Sequence, residues 1–273
     1  MDGEINVSNM SLTERMATYS LNISEIFYSI EGEGIRIGEP TIYVRVIGCP
    51  HHCSWCDTPY SIGSIRTPIE KYNMKLNDIY KKIKDIINEH NLTDEVWIEF
   101  TGGEPMWFPN EVGTLMDYIK RNLYIETGCS VGIVLQTSGG WYQTEPKALY
   151  YSNRDLMMMS DLVAADWKDE EENIPFVFPL RLMRRQDEIK FLIKDDRSYN
   201  YVKNTIKYLL KEEVPSKFII TTVTNNKDDV VSDHVVKLKA LTEKILNDST
   251  FPKKQVKILT REHILLWGNK RGV

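Results

Sequence analysis

From Thr41 to its end the chain alternates between short β-branched runs and longer segments with helical apolar spacing. Residues 41–47 are rich in β-branched side chains and read as a strand. Their alternation puts Ile42, Val44 and Val46 on one face and Tyr43, Arg45 and Ile47 on the other. Residues 76–90 carry apolar side chains at 76, 79, 80, 83, 86 and 87, which is the spacing of a helix. Further strands are predicted over 95–100, 131–136, 161–166, 188–194, 217–224 and 255–259. Helices are predicted after a cap at Asn110, over 198–212 and over 228–247. Such an order implies an α/β fold with parallel strands joined by helical crossovers. Six or seven strands fit an open, partial barrel as well as a closed one. Residues 1–20 read as a loose N-terminal arm. Residues 21–273 read as a single domain, since no low-complexity linker divides them.

The chemically distinctive loops all follow strands. In a parallel β/α barrel the loops at strand carboxyl ends share one rim, where active sites form. The first holds Cys49, Cys53 and Cys56, three of the four cysteines in 273 residues, in the spacing C-x3-C-x2-C with Trp55 before the third. Clustered thiolates are soft ligands suited to iron–sulfur clusters, zinc or Cu(I). Three thiolates on a four-iron cluster would leave one iron open to a cofactor. A structural zinc with His51 or His52 as fourth ligand is the competing reading. Cys129, far along the sequence, is a possible fourth thiolate, and a disulfide is the weaker alternative. The second loop reads Thr101, Gly102, Gly103, Glu104 and Pro105. Its glycines permit close backbone approach, and its carboxylate can pair with an ammonium group. Ser138 closes the next strand and Lys168 the one after it.

Composition serves mainly to exclude. A net charge of -5 gives no sign of a general nucleic-acid binder. The short basic stretches 181–185 and 253–257 read as solvated faces. Residues 1–20 lack a basic segment followed by an apolar one, so no secretory signal is expected there, and no run reaches about 18 uninterrupted apolar residues. Four cysteines do not make a disulfide scaffold in a chain of this length. The expected setting is a reducing cytoplasm, with no membrane and no direct nucleic-acid partner.

The cysteine loop, with its aromatic residue before the third cysteine, resembles the signature of the radical S-adenosylmethionine (SAM) superfamily. Residues 101–105 resemble the motif that meets the SAM amino group there. Within that superfamily the chain resembles the 7-carboxy-7-deazaguanine synthases. The likeness rests on residues 25–34 (EIFYSIEGEG), 38–40, 43–49, 53–60 and 101–105, and on Arg271, Gly272 and Val273. It spans most of the chain and is densest over 25–60.

The resemblance implies a partial barrel of about six core strands, with a C-terminal extension over the substrate site. It implies a [4Fe-4S] cluster on Cys49, Cys53 and Cys56, with SAM on its open iron. Trp55, Tyr60, Gly102, Gly103, Glu104, Ser138 and Lys168 would hold SAM, and Thr58 would bind Mg2+. Glu31, Gly32, Glu33, Gly34, Arg45, Thr101 and His263 would meet a pterin. The implied reaction turns 6-carboxy-5,6,7,8-tetrahydropterin into 7-carboxy-7-deazaguanine with loss of ammonia, on the way to queuosine or archaeosine. A 5′-deoxyadenosyl radical would take the C6 hydrogen and later return it to regenerate SAM. A homodimer and a flavodoxin or ferredoxin reductant are further implications. One departure stands out: Glu31 occupies a position where that family has glutamine. A glycyl-radical-enzyme activase shares the cysteine loop and is the alternative enzyme. A zinc-stabilised binding protein is the non-enzymatic alternative.

Overall fold

The computed structural model describes residues 10–51, 53, 55–63, 69–138, 151–168, 180–224, 229–268 and 270–273. His52, Gly139 and the stretch 169–179 lie outside the described residues. Among those described, the strands are β1 (Ser20–Ile30), β2 (Pro40–Val46), β3 (Asn73–Lys75), β4 (Glu95–Gly102) and β5 (Ser130–Thr137). They continue as β6 (Leu162–Trp167), β7 (Glu188–Ile193), β8 (Lys217–Thr222) and β9 (Val256–Ile258). The helices are α1 (Leu12–Thr18), α2 (Leu76–Glu89), α3 (Pro109–Thr127) and α4 (Asn153–Met159), then α5 (Asp196–Lys211), α6 (Val230–Asn247) and α7 (Glu262–Trp267).

One sheet contains all nine strands, in the order β3-β1-β2-β4-β5-β6-β7-β8-β9. The pairings from β2 through β9 are parallel. β1 pairs antiparallel with β2 and with β3. This is the expected α/β open barrel. Its seven parallel strands are the seven expected from the sequence, and β1 and β3 add an antiparallel edge that the sequence pattern did not disclose.

Two faces of each strand do different work. The outer face carries Ile42, Val44, Ile98, Phe100, Ile133, Leu135, Val163, Ile189, Phe191, Phe218 and Ile220, all fully buried. They join α2 (Leu76, Ile79, Ile83), α3 (Leu115, Met116, Ile119) and α5 (Ile206, Leu209) in one core. Each such side chain contributes about 1.5–3 kcal/mol by leaving water. The inner face is apolar at its base, where Val134, Leu162 and Ala164 pack with Ile35 and Trp97. Gly132 makes room there, because a Cβ would come within 2.4 Å of the Trp97 ring. Above that layer the inner face turns polar, with Glu99, Thr101, Gln136, Asp166, Glu188 and Lys190. Parallel strands covered on both faces are ordinarily apolar throughout. Buried charge in their middle therefore marks a lumen built for something other than packing.

Three expectations need correction. Residues 10–20 are not a loose arm: Ser11 and Glu14 form a capping box on α1, and Arg15 and Met16 are buried. The Arg15 guanidinium lies over the Tyr151 ring at 5.7 Å. α3 starts at Pro109 without a side-chain cap, and Asn110 instead accepts from the Tyr151 N–H at 3.1 Å. Within the basic stretch 181–185, Arg184 does not serve a solvated face. It pairs at 2.8 Å with the fully buried Asp187 and reaches the Ser160 carbonyl at 2.9 Å.

Candidate active site

The loop after β2 carries Cys49, Cys53 and Cys56, each half-buried and outside any disulfide. Its ends are pinned by the Gly48 N–H to the Ser61 carbonyl (2.9 Å) and the Cys49 N–H to the Ile62 carbonyl (3.3 Å). Burial pushes the Cys49 thiol up to about 12. A bound metal, displacing the proton, therefore has to supply the thiolate. The reading of Cys129 as a fourth thiolate is corrected. It precedes β5, at the opposite end of the strands, is fully buried, and donates its S–H to the Asp94 carbonyl at 2.9 Å. Three thiols on one rim loop, with Cys129 remote, fit a four-iron cluster that keeps one iron open.

The loop after β4 is fitted against the cysteine loop, backbone to backbone. The Gly103 N–H donates to the Val46 carbonyl (2.9 Å) and the Glu104 N–H to the Gly48 carbonyl (2.8 Å). A Cβ on Gly103 would lie 2.1 Å from the Gly48 oxygen, and Gly102 has φ +107°. The glycines thus let two rim loops touch, beyond any role towards a ligand. Glu104 is fully buried, and its carboxylate accepts from the Met106 N–H (3.0 Å), the Thr137 hydroxyl (2.8 Å) and the Ser138 N–H and hydroxyl (2.7 and 2.5 Å). The Glu104 carboxylate thus ties the β4 and β5 loops, with Ser138 as a partner.

Lys168, after β6, pairs with Asp166 at 3.2 Å and sits 4.8 Å from the centre of the Trp55 ring. Opposite sides of the rim therefore meet above the lumen. Thr58 Oγ1 lies 3.8 Å from Cys56 Sγ. The Tyr60 hydroxyl donates to Glu25 at 2.8 Å, and Arg271 stacks on the Tyr60 ring at 3.4 Å. Arg45 also pairs with Glu25, through Nε at 3.0 Å. Strand register explains this, since Glu25 on β1 lies opposite Arg45 on β2.

The turn from Glu31 to Gly34 forms a lip of the lumen. Gly32 abuts the His263 ring, and Gly34, at φ +75°, abuts the Glu188 carboxylate. Glu33 is held by two cations: Arg261 Nε at 2.6 Å and Lys190 Nζ at 3.2 Å. Burial opposes its ionisation, yet these two cations keep its carboxyl well below the usual range. Lys190 also contacts Asp166 at 3.3 Å. Burial disfavours its ammonium, but Asp166 and Glu33 raise it well above its ordinary value.

Glu31 turns inward. It accepts from the Glu33 N–H (3.0 Å), Arg36 (3.1 Å) and the Tyr43 hydroxyl (3.4 Å). Arg36 stacks on Trp97 at 4.1 Å and lies 3.8 Å from Glu99. Burial and the neighbouring Glu31 raise the Glu99 carboxyl well above its ordinary value. Gln136 joins these groups when its amide is oriented to suit them. Its nitrogen then donates to Glu99 (2.5 Å) and Thr101 (3.0 Å), and its oxygen accepts from Lys190 (2.9 Å). Thr101 therefore faces the lumen.

Sequence reasoning missed Lys190, Arg261, Arg36, Glu99, Gln136 and Glu188. For Lys190, Glu188 and Glu99 a signal existed: ionisable residues at alternate positions inside otherwise apolar strands. Arg261 offered none. Glu33, Asp57 and His263 bring ligand atoms within 4.8 Å of one another, although Arg261 already lies between the two carboxylates.

Residues 43–236 match the radical SAM superfamily. The 7-carboxy-7-deazaguanine synthase of Thermoplasma acidophilum is 30% identical over 185 residues, covering 66% of this chain and 73% of that protein. The Bacillus subtilis protein of the same name is 26% identical over 270 residues, covering 92% and 98%. The crystal structure of QueE from Escherichia coli superposes with a TM-score of 0.56 at 17% identity, over 92% of this chain and 99% of that one.

Proposed function

Since the chain belongs to the radical SAM superfamily and, within it, to the 7-carboxy-7-deazaguanine synthases, we propose that it converts 6-carboxy-5,6,7,8-tetrahydropterin to 7-carboxy-7-deazaguanine with loss of ammonia. Membership sets aside the zinc-stabilised binding protein. The activase reading also has no support in the relatives, which are named as synthases.

One juxtaposition carries the proposal: Arg261 ties Glu33, on the lip of the polar lumen, to Asp57, the residue directly after the third thiol of the cysteine loop. Cys49, Cys53 and Cys56 would hold the cluster. Gly102, Gly103, Ser138, Lys168 and Trp55 would hold SAM, with Glu104 bracing their loops and Tyr60 beside them. Bound there, cluster and SAM would supply the 5′-deoxyadenosyl radical that takes the C6 hydrogen from substrate. Glu33 stays an acceptor and can read the N–H and amino edge of a pterin. Arg45 lies beside Glu25 at 3.0 Å but makes no hydrogen bond through its buried Nε, so its guanidinium keeps donors for the substrate carboxylate. Thr58, beside the third cysteine, is the proposed Mg2+ ligand, because a hard cation suits oxygen donors and an anionic pterin. His263 and Thr101 border the ring. The Glu31 carboxylate is turned to three protein donors, so the turn would meet substrate through Gly32, Glu33 and Gly34. A homodimer, a flavodoxin or ferredoxin donor and a cytoplasmic setting belong to the same proposal. No helix among the described residues is long and apolar enough to cross a membrane.

Anaerobically reconstituted protein, given the carboxytetrahydropterin, SAM, Mg2+ and a reductant, should release the deazaguanine product. Cys53→Ala should lose iron and turnover together. Colourless protein holding stoichiometric zinc after reconstitution, or full turnover in the Cys53 variant, would refute the proposal.

A further inference from the structure

Arg261 follows β9, outside every motif in the sequence, yet its guanidinium is 6% exposed. Nε donates to Glu33 Oε1 at 2.6 Å, and Nη2 donates to Asp57 Oδ2 at 2.5 Å. Glu33 belongs to the lip after β1, and Asp57 directly follows Cys56. One planar fork therefore spans the lip and the cysteine loop. The fork is itself anchored, since the Arg261 N–H donates to His234 Nε2 (3.0 Å) and the Glu262 N–H to the Gly32 carbonyl (2.8 Å). Without the guanidinium, the Glu33 and Asp57 carboxylates, each with an oxygen within 4.8 Å of the other, would repel.

We propose that Arg261 is a positioning residue that fixes Glu33 relative to the loop following the third cysteine, so that substrate edge and cofactor loop share one frame. This rests on the functional reading above. A fork is needed because two carboxylates on separate loops must be met in fixed directions. Lysine offers one point charge on a flexible stem. Through Arg261 the Asp57 carboxylate, 59% exposed at the start of the segment after Cys56, is coupled to the position of Glu33.

The test is equilibrium titration of the carboxytetrahydropterin into reconstituted, SAM-bound protein without Mg2+, using wild type, R261Q, R261K, D57N and D57N/R261Q. R261Q should weaken pterin binding by about tenfold, within the range for coupled neighbours. D57N should also weaken it, and should add nothing in the R261Q background. R261K should recover part of the loss. Iron content should stay near wild type throughout. Wild-type affinity in R261Q, or losses from D57N and R261Q that multiply as independent effects, would overturn the inference alone. Should R261Q fail to fold, D57N decides, and unchanged pterin affinity in D57N would overturn it. A wild-type protein that binds no pterin would overturn the functional reading and this inference with it.

Discussion

At the residue scale, burial and neighbours decide what each ionisable group can do. Glu33 and Glu188 are both carboxyls on the lumen, and they diverge. Glu33 has two cations in contact and is held ionised. Glu188 is raised by burial from 4.5 to about 7, against the pull of Lys190 and the Ile35 N–H, which it accepts at 2.7 Å. The folded chain therefore holds the Glu188 proton more tightly than the unfolded chain between about pH 4.5 and 7. Its contribution to stability is complete below that window and is lost as pH rises through it. At 1.36 kcal/mol per pH unit the effect is roughly 3 kcal/mol at most. Glu188→Gln should remove it, so urea melts should show wild type losing stability relative to the variant from pH 4.5 to 8. A difference that stays constant with pH would show that Glu188 titrates normally.

At the element scale, strands and their terminal loops were largely legible. Residues 41–47, 95–100 and 131–136 coincide with β2, β4 and β5 to within two residues, because alternation of branched apolar side chains is a local property. β1 escaped because Ser20, Asn22, Ser24 and Glu25 obscure its pattern, and because a register shift between Ile23 and Glu25 breaks the alternation. The β4 loop shows what two glycines accomplish where two elements touch. In Gly103→Ala, the new Cβ would meet the Gly48 carbonyl and force the β4 and cysteine loops apart. Overpacking of this kind costs about 1–3 kcal/mol. The variant should melt at lower temperature and carry less iron per chain after reconstitution. Unchanged iron content would show that the contact does not shape the cysteine loop.

At the scale of the whole molecule, the sheet is firm in its middle and thin at its ends. β4 to β7 have partners on both sides and helices over the outer face, whereas β3 and β9 are three residues long. Hydrogen exchange should be slowest for amides of β4, β5 and β7 and fastest among strands for β3 and β9. Equal protection at the edges would point to an unseen closure of the barrel. The sequence by itself determined the alternating elements, the rim on which the cysteines lie, and most of the motif residues. Each of these follows from a local period or a local spacing. The tertiary structure alone decided which charges face one another. Lys190 meets Glu33 across 157 positions of chain, and Arg261 meets Glu33 across 228. A period of two assigns a residue to the inner face, but its partner there depends on how far the sheet curls. That curl is set by packing of the whole outer core.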